Sequence, residues 1–174
     1  LPTSTIYRYS EAAETSTGNA VGIGVDSDDD RLYVNRSGTR EPIAGDAVET
    51  VTATNAITAG EDGTTFFLSS GTEFTSTLPS PAAGLKFTFV VAAAPSGADY
   101  VVTTTTDLIH GMGVSSADAG GSADSTAGTL AATIEFVDGQ AKVGDRVELT
   151  CDGTYWYAFA VMSDEDAITF TPAA

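Results

Sequence analysis

Cysteine occurs once in this chain of 174 residues, at Cys151, which excludes an intrachain disulfide framework and a multi-cysteine zinc site. Cations are scarce as well: seven Lys and Arg stand against 24 Asp and Glu, for a formal net charge of −17. Such a surface lacks the clustered cations that nucleic acid phosphates or an anionic membrane require, so neither is an expected partner. No apolar run approaches the length of a membrane-spanning helix. No charged-then-apolar signal segment opens the chain, and with Leu1 as first residue a processed or trimmed chain is expected. Helix signals are nearly missing: Thr and Ser abound, 18 Gly are dispersed, and no long segment repeats apolar residues at helical spacing.

What is present is strand signal. Hydrophobic residues make up 42% of the chain, enough for a real core. Short runs rich in Val, Phe, Tyr, Ile and Thr alternate with Gly, Asp, Asn and Pro. The expected fold is all-β, an antiparallel sandwich or barrel-like domain over residues 49–174, preceded by an extended arm and a β-hairpin over residues 1–48. Within the first part, residues 1–19 read as the arm, and 20–25 with 31–36 as the hairpin around the acidic turn Asp26-Ser27-Asp28-Asp29-Asp30. A two-stranded ribbon is marginal alone, so it must lie against the main body or a neighbour. Strands are expected near 50–57, 64–69, 72–78, 85–92, 99–105, 130–137, 145–151, 154–161 and 167–171, with 111–128 as a long surface loop.

The sharpest local expectation concerns RVELTCDGTYWYAFAV, residues 146–161. Asp152-Gly153 signals a two-residue hairpin turn, which opposes Cys151 to Thr154, Thr150 to Tyr155 and Leu149 to Trp156. One face then carries Val147, Leu149, Cys151, Trp156, Ala158 and Ala160, a core face. The other sets Arg146, Glu148 and Thr150 beside Tyr155, Tyr157 and Phe159. Three aromatics need a cover. A second subunit supplies one, which makes Tyr155, Tyr157 and Phe159 a candidate subunit interface; burial by the chain's own arm is the alternative.

Constellations that carry catalysis do not appear in the sequence. His110 is the only histidine, no Gly-x-Ser-x-Gly elbow is present, and Cys151 falls on the core face. His110 is therefore expected at a strand end, ordering the next loop. Asp26, Asp28 and Asp30 imitate the first ligands of a calcium loop, but Arg31 replaces the needed glycine and Ser37 the bidentate glutamate. Gly22-x-Gly24 and Gly111-x-Gly113 lack the third glycine of a nucleotide site. No catalytic residue, metal or cofactor is assigned, and the expectation is a protein that is not an enzyme.

One ordered set of motifs carries a resemblance. Phe74-Thr75-Ser76-Thr77-Leu78-Pro79, then Pro81-Ala82-Ala83-Gly84-Leu85-Lys86-Phe87-Thr88-Phe89, is followed by Ile109-His110-Gly111. Gly144-Asp145-Arg146-Val147, Leu149 and Asp152-Gly153-Thr154-Tyr155-Trp156-Tyr157 complete it. The set, spanning roughly residues 50–171, resembles the capsid decoration (cement) proteins of tailed bacteriophages. Residues 32–39 resemble, more loosely, a ribbon of phage structural proteins. The resemblance implies a β-sandwich-like virion protein on the outer face of the capsid, a homotrimer with the major capsid protein as partner. It makes the arm residues Tyr7, Arg8 and Tyr9 candidates for capsid contact. The acidity agrees with a non-sticky particle surface. Rival readings are a tail-fibre or tail-tip domain binding host carbohydrate, a virion depolymerase with a carboxylate pair, and a halophile surface domain. Against a fibre, the sequence shows no collagen-like, coiled-coil or β-helical repeat.

Overall fold

The chain divides into two compact units, Leu1–Asp46 and Ala47–Ala174. The structure, a computed structural model, describes the second unit apart from residues 71, 117–124, 127–129 and 174. For residues 125–126 and for four strands of the first unit it describes the backbone alone.

Those four strands are β1 (Tyr7–Tyr9), β2 (Val21–Asp26), β3 (Leu32–Arg36) and β4 (Thr39–Pro42), forming one sheet in chain order. β2 and β3 pair antiparallel, with Val21 opposite Arg36 and Val25 opposite Leu32, as the hairpin pattern requires. β4 extends the ribbon on one side. On the other, β1 runs parallel to β2, so residues 7–9 hold a ladder position where an unpaired arm was expected. Asp28 and Asp30 of the calcium-like triad lie outside the described residues.

The second unit contains β5 (Val48–Val51), β6 (Asn55–Ala56), β7 (Thr65–Leu68), β8 (Phe74–Thr77), β9 (Lys86–Val91), β10 (Tyr100–Thr103) and β11 (Ile109–Ser115). It continues with β12 (Ser125–Thr126), β13 (Leu130–Ala131), β14 (Thr133–Phe136), β15 (Arg146–Cys151), β16 (Trp156–Met162) and β17 (Ile168–Thr171). One sheet has five strands in the order β17-β14-β10-β8-β6. The other has eight, ordered β12-β11-β16-β15-β9-β7-β5, with β13 also on β11. The fold is an all-β sandwich.

Its sheets are mixed, which corrects the antiparallel expectation. From β5 to β10 the chain alternates between the two sheets, so successive strands within one sheet run parallel: β5, β7 and β9 in one, β6, β8 and β10 in the other. Parallel neighbours need a crossover, and here the opposite sheet supplies it. Residues 48–103 thus wind as a flattened coil, which no sequence repeat announced. The same crossing explains why the strand expected at 50–57 breaks at residues 52–54, between β5 and β6.

The stretch Leu78-Pro79-Ser80-Pro81 lies at such a crossing, between β8 in the five-stranded sheet and β9 in the other. Proline offers no N–H to a ladder and disfavours a helical turn before it, so pairing ends there. Leu78 is buried, and its N–H is bonded to the Thr103 carbonyl at 2.8 Å, anchoring the corner.

Strand alternation sorts the residues. Val147, Leu149 and Cys151 of β15 are buried between exposed Arg146, Glu148 and Thr150. Trp156, Ala158, Ala160 and Met162 of β16 face inward with them. Phe66 stacks on Phe89 at 5.1 Å, Phe87 meets Trp156 at 5.5 Å, and Phe74 stacks on Tyr100 at 4.6 Å. Each fully buried ring contributes about 2–3 kcal/mol, so the core needs no disulfide. The Cys151 side chain behaves as a small buried hydrophobe, its sulfur accepting the Gly153 N–H at 3.4 Å.

Candidate functional site

The hairpin of β15 and β16 builds the candidate site, with a register that differs from the one read in the sequence. Cys151 opposes Trp156, Thr150 opposes Tyr157 and Leu149 opposes Ala158, a shift of two residues. The cause is the Asp152 side chain. Its Oδ1 accepts the N–H groups of Thr154 and Tyr155 at 2.7 and 2.8 Å, while Asp152 N–H donates to the Tyr155 carbonyl. That local alternative to the ladder makes a four-residue loop over 152–155, with Gly153 at φ 103°. A slip of one residue would invert the faces, whereas a slip of two preserves them. Tyr157 and Phe159 therefore stay on the outer face, 48% and 38% exposed, and Tyr155 moves into the loop.

β11 completes the face. It lies parallel to β16, setting His110 beside Tyr157 and Met112 beside Phe159. The His110 ring stacks on Tyr157 at 5.4 Å and meets Tyr155 edge-on at 5.0 Å. His110 therefore sits within a strand and joins two of the three candidate aromatics, where a loop-ordering role was expected. Met112, Val114 and Leu130 are exposed around it. Between His110, Met112, Tyr157 and Phe159, over a floor of Gly111 and Ala158, lies an open concavity of about 310 Å³.

Met112 and Val114 were missed because 111–128 reads as loop. The glycines caused the misreading: Gly111 and Gly113 occupy the inward positions, where apolar side chains normally mark a strand. Phe170 and Met162 fill the space their side chains would take. The period-two run His110-Gly111-Met112-Gly113-Val114 was the available signal.

Charge on this face is balanced locally. Arg146 Nε lies 3.6 Å from Glu148 Oε1, and Lys86 stands opposite Thr150. The Tyr157 hydroxyl donates to Asp152 Oδ2 at 3.0 Å. That bond, with some desolvation and the nearby negative charge, raises the Tyr157 pKa. The backbone N–H groups of Tyr155 and Thr154 hold the Asp152 pKa down.

Tyr7, Arg8 and Tyr9 lie in β1, opposite Gly24, Val25 and Asp26, and their side chains fall outside the description. Among the described residues no group of three or more His, Cys, Asp or Glu is placed to hold a metal ion. No helix among them is long and apolar enough to cross a membrane. No protein-family model matches the sequence, and no curated protein matches it significantly.

Proposed function

We propose that this chain is a structural virion protein that binds the outer surface of a tailed-phage capsid and stabilises the shell by bridging major capsid protein subunits. The observation that carries this reading is the aromatic and aliphatic outer face of β11 and β16 on a chain of net charge −17. A face of this kind suits protein contact, while the acidic remainder keeps the particle surface soluble. The ordered sequence motifs support it, since they form the sandwich corner, the start of β11 and the β15–β16 hairpin. In this reading Tyr7, Arg8 and Tyr9 contribute to the capsid contact, and copies associate on the shell, as trimers.

Capsids of the parent virus stripped of this protein test it. Added back, the protein should cosediment with the shells at saturable stoichiometry and raise the temperature at which they rupture. Shells that neither take it up nor gain stability would refute the assignment.

A second reading is a tail-fibre domain that binds host carbohydrate, favoured by the coiled course of residues 48–103 and the exposed Tyr157 ring. It ranks below the first. The concavity is lined mainly by apolar groups, and the Tyr157 hydroxyl is already committed to Asp152. Saturable binding of a host glycan, lost in Tyr157→Ser, would reverse the order.

A further inference from the structure

We propose that the concavity on β11 and β16 binds a small quaternary ammonium ion, seated against its aromatic rings. The occupant is a free ligand rather than a subunit or a shell, so the proposal stands apart from the capsid reading.

The lining sets which ligands are refused. His110, Met112, Tyr157 and Phe159 wall the recess over a floor of Gly111 and Ala158. Among these side chains only the His110 ring and the Tyr157 hydroxyl are polar, and the hydroxyl already donates to Asp152. Asp152 is committed too, its Oδ1 to two backbone N–H groups and its Oδ2 to that phenol. A sugar, or a guanidinium with five N–H donors, would lose water here and leave hydrogen-bonding groups unpaired. A protonated primary amine meets the same penalty. A quaternary ammonium has no N–H to satisfy and spreads its charge over methyl groups, so it loses least.

The rings set what is favoured. An aromatic face attracts a cation that comes within about 6 Å of the ring centroid, quaternary ammonium ions among them. Phe159 and Tyr157 are exposed beside the recess. Tyr157 is held by its bond to Asp152 and by the His110 ring stacked on it at 5.4 Å, so its orientation is fixed before a ligand arrives. Donation of the phenol proton toward a carboxylate also makes that ring richer in electrons, which strengthens its pull on a cation.

Charge and size agree. A chain of net charge −17 draws cations and repels anions. The strand register puts Glu148 directly opposite Phe159, and Asp152 lies at Tyr157. The cations on β15 and β9 stand farther off. Arg146 is diagonal to Phe159 and lies 3.6 Å from Glu148. Lys86 is two strands from Tyr157, and Asp62 Oδ1 accepts its backbone N–H at 2.8 Å. A volume of about 310 Å³ is at the small end of ligand sites, which suits one trimethylammonium group rather than a peptide segment or a lipid surface.

The test is an NMR titration of the full chain with choline chloride against matched sodium chloride. The chain has one histidine and two methionines, so His110 and Met112 report from the recess while buried Met162 serves as the internal reference. Choline should shift the His110 and Met112 signals, leave Met162 in place, and saturate in the millimolar range. The uncharged isostere, with carbon in place of the quaternary nitrogen, should bind at least about tenfold more weakly. Tyr157→Leu and Phe159→Leu keep the lining apolar but remove a ring, and each should weaken choline binding about fivefold. Equal binding of the isostere overturns the proposal, and so do leucine variants that bind as the native chain does. Shifts that never saturate overturn it as well, as does uptake by phosphatidylcholine vesicles without binding of free choline. If Tyr157→Leu loses its native fold, Phe159→Leu decides, because it removes no side-chain hydrogen bond. Shells play no part in these measurements, so the capsid role stands or falls separately.

Discussion

Phe170 of β17 lies across the space where a side chain on Gly111 of β11 would begin. A Cβ built at Gly111 would stand 2.3 Å from the Phe170 ring, inside any tolerable contact. The two strands belong to opposite sheets, so this glycine sets how closely the sandwich closes behind the candidate face.

Gly111→Ala is therefore expected to destabilise by about 1–3 kcal/mol, because the half-buried Phe170 ring, packed against the core, must shift to admit the methyl. Gly113→Ala meets first the end of the flexible Met162 side chain, with Ala160 Cβ next at 3.1 Å, and should cost less because a methionine can change rotamer. Urea unfolding of the two variants gives the comparison. Equal costs would mean that the ring shifts as freely as the methionine.

This pair also shows what the sequence hid. Strands with apolar inward positions, such as Val147, Leu149 and Cys151, were legible because burial follows their chemistry. β11 was not, since its inward volume comes from Phe170 and Met162, distant in sequence. The faces of the hairpin were legible and its register was not, because Asp152 competes with the backbone for its own turn. Of the face, Tyr157 and Phe159 could be read from alternation. Their neighbours His110 and Met112 arrive through a parallel strand that no local pattern announces.

Asp152→Asn should lower the Tyr157 pKa toward its ordinary value, since the anionic acceptor that raises it is gone. Ultraviolet titration of the phenol measures this. The Asp152 pKa is depressed in the folded protein, so its contribution to stability is present above the unfolded value and is lost as pH falls through the folded one. The native chain should therefore lose part of its hairpin stability at strongly acid pH, and the asparagine variant should lose less over the same window. A Tyr157 titration identical in both proteins would remove the hydrogen bond from the account.

Glu49 on β5 behaves in the opposite sense. Partial burial, the charge of Glu61 and a hydrogen bond with that carboxyl raise its pKa above 4.5, against a lowering bond from Asn55. A raised folded pKa means that stability is present below the unfolded value and is lost as pH rises through the folded one. Glu61→Gln removes the charge that drives most of the interaction with Glu49. Melting temperatures measured upward from pH 4 should fall less for Glu61→Gln than for the native chain. Parallel curves would show that the pair contributes nothing measurable.

Asp145 carries the last prediction, and it separates a residue of the fold from one of the face. Only 4% exposed, its carboxylate accepts Ser163 N–H at 2.7 Å, Ser163 Oγ–H at 3.0 Å and Lys142 N–H at 2.8 Å. It thereby ties the turn before β15 to the end of β16, closing the open end of the hairpin on which the face is built. Asp145→Ala would leave buried donors without an acceptor, at a cost of about 3 kcal/mol. Asp145→Asn should recover little, because its amide would set N–H against one of the two backbone N–H groups. Ser163→Ala removes only the hydroxyl and should cost about 1 kcal/mol. Denaturant midpoints of the three variants test the order. Asparagine matching the native protein would show that one oxygen suffices and that the charge at Asp145 is dispensable. If the order holds, Gly144-Asp145-Arg146-Val147 is a motif that builds the platform, and choline binding should weaken in Asp145→Ala only as far as the hairpin itself loosens.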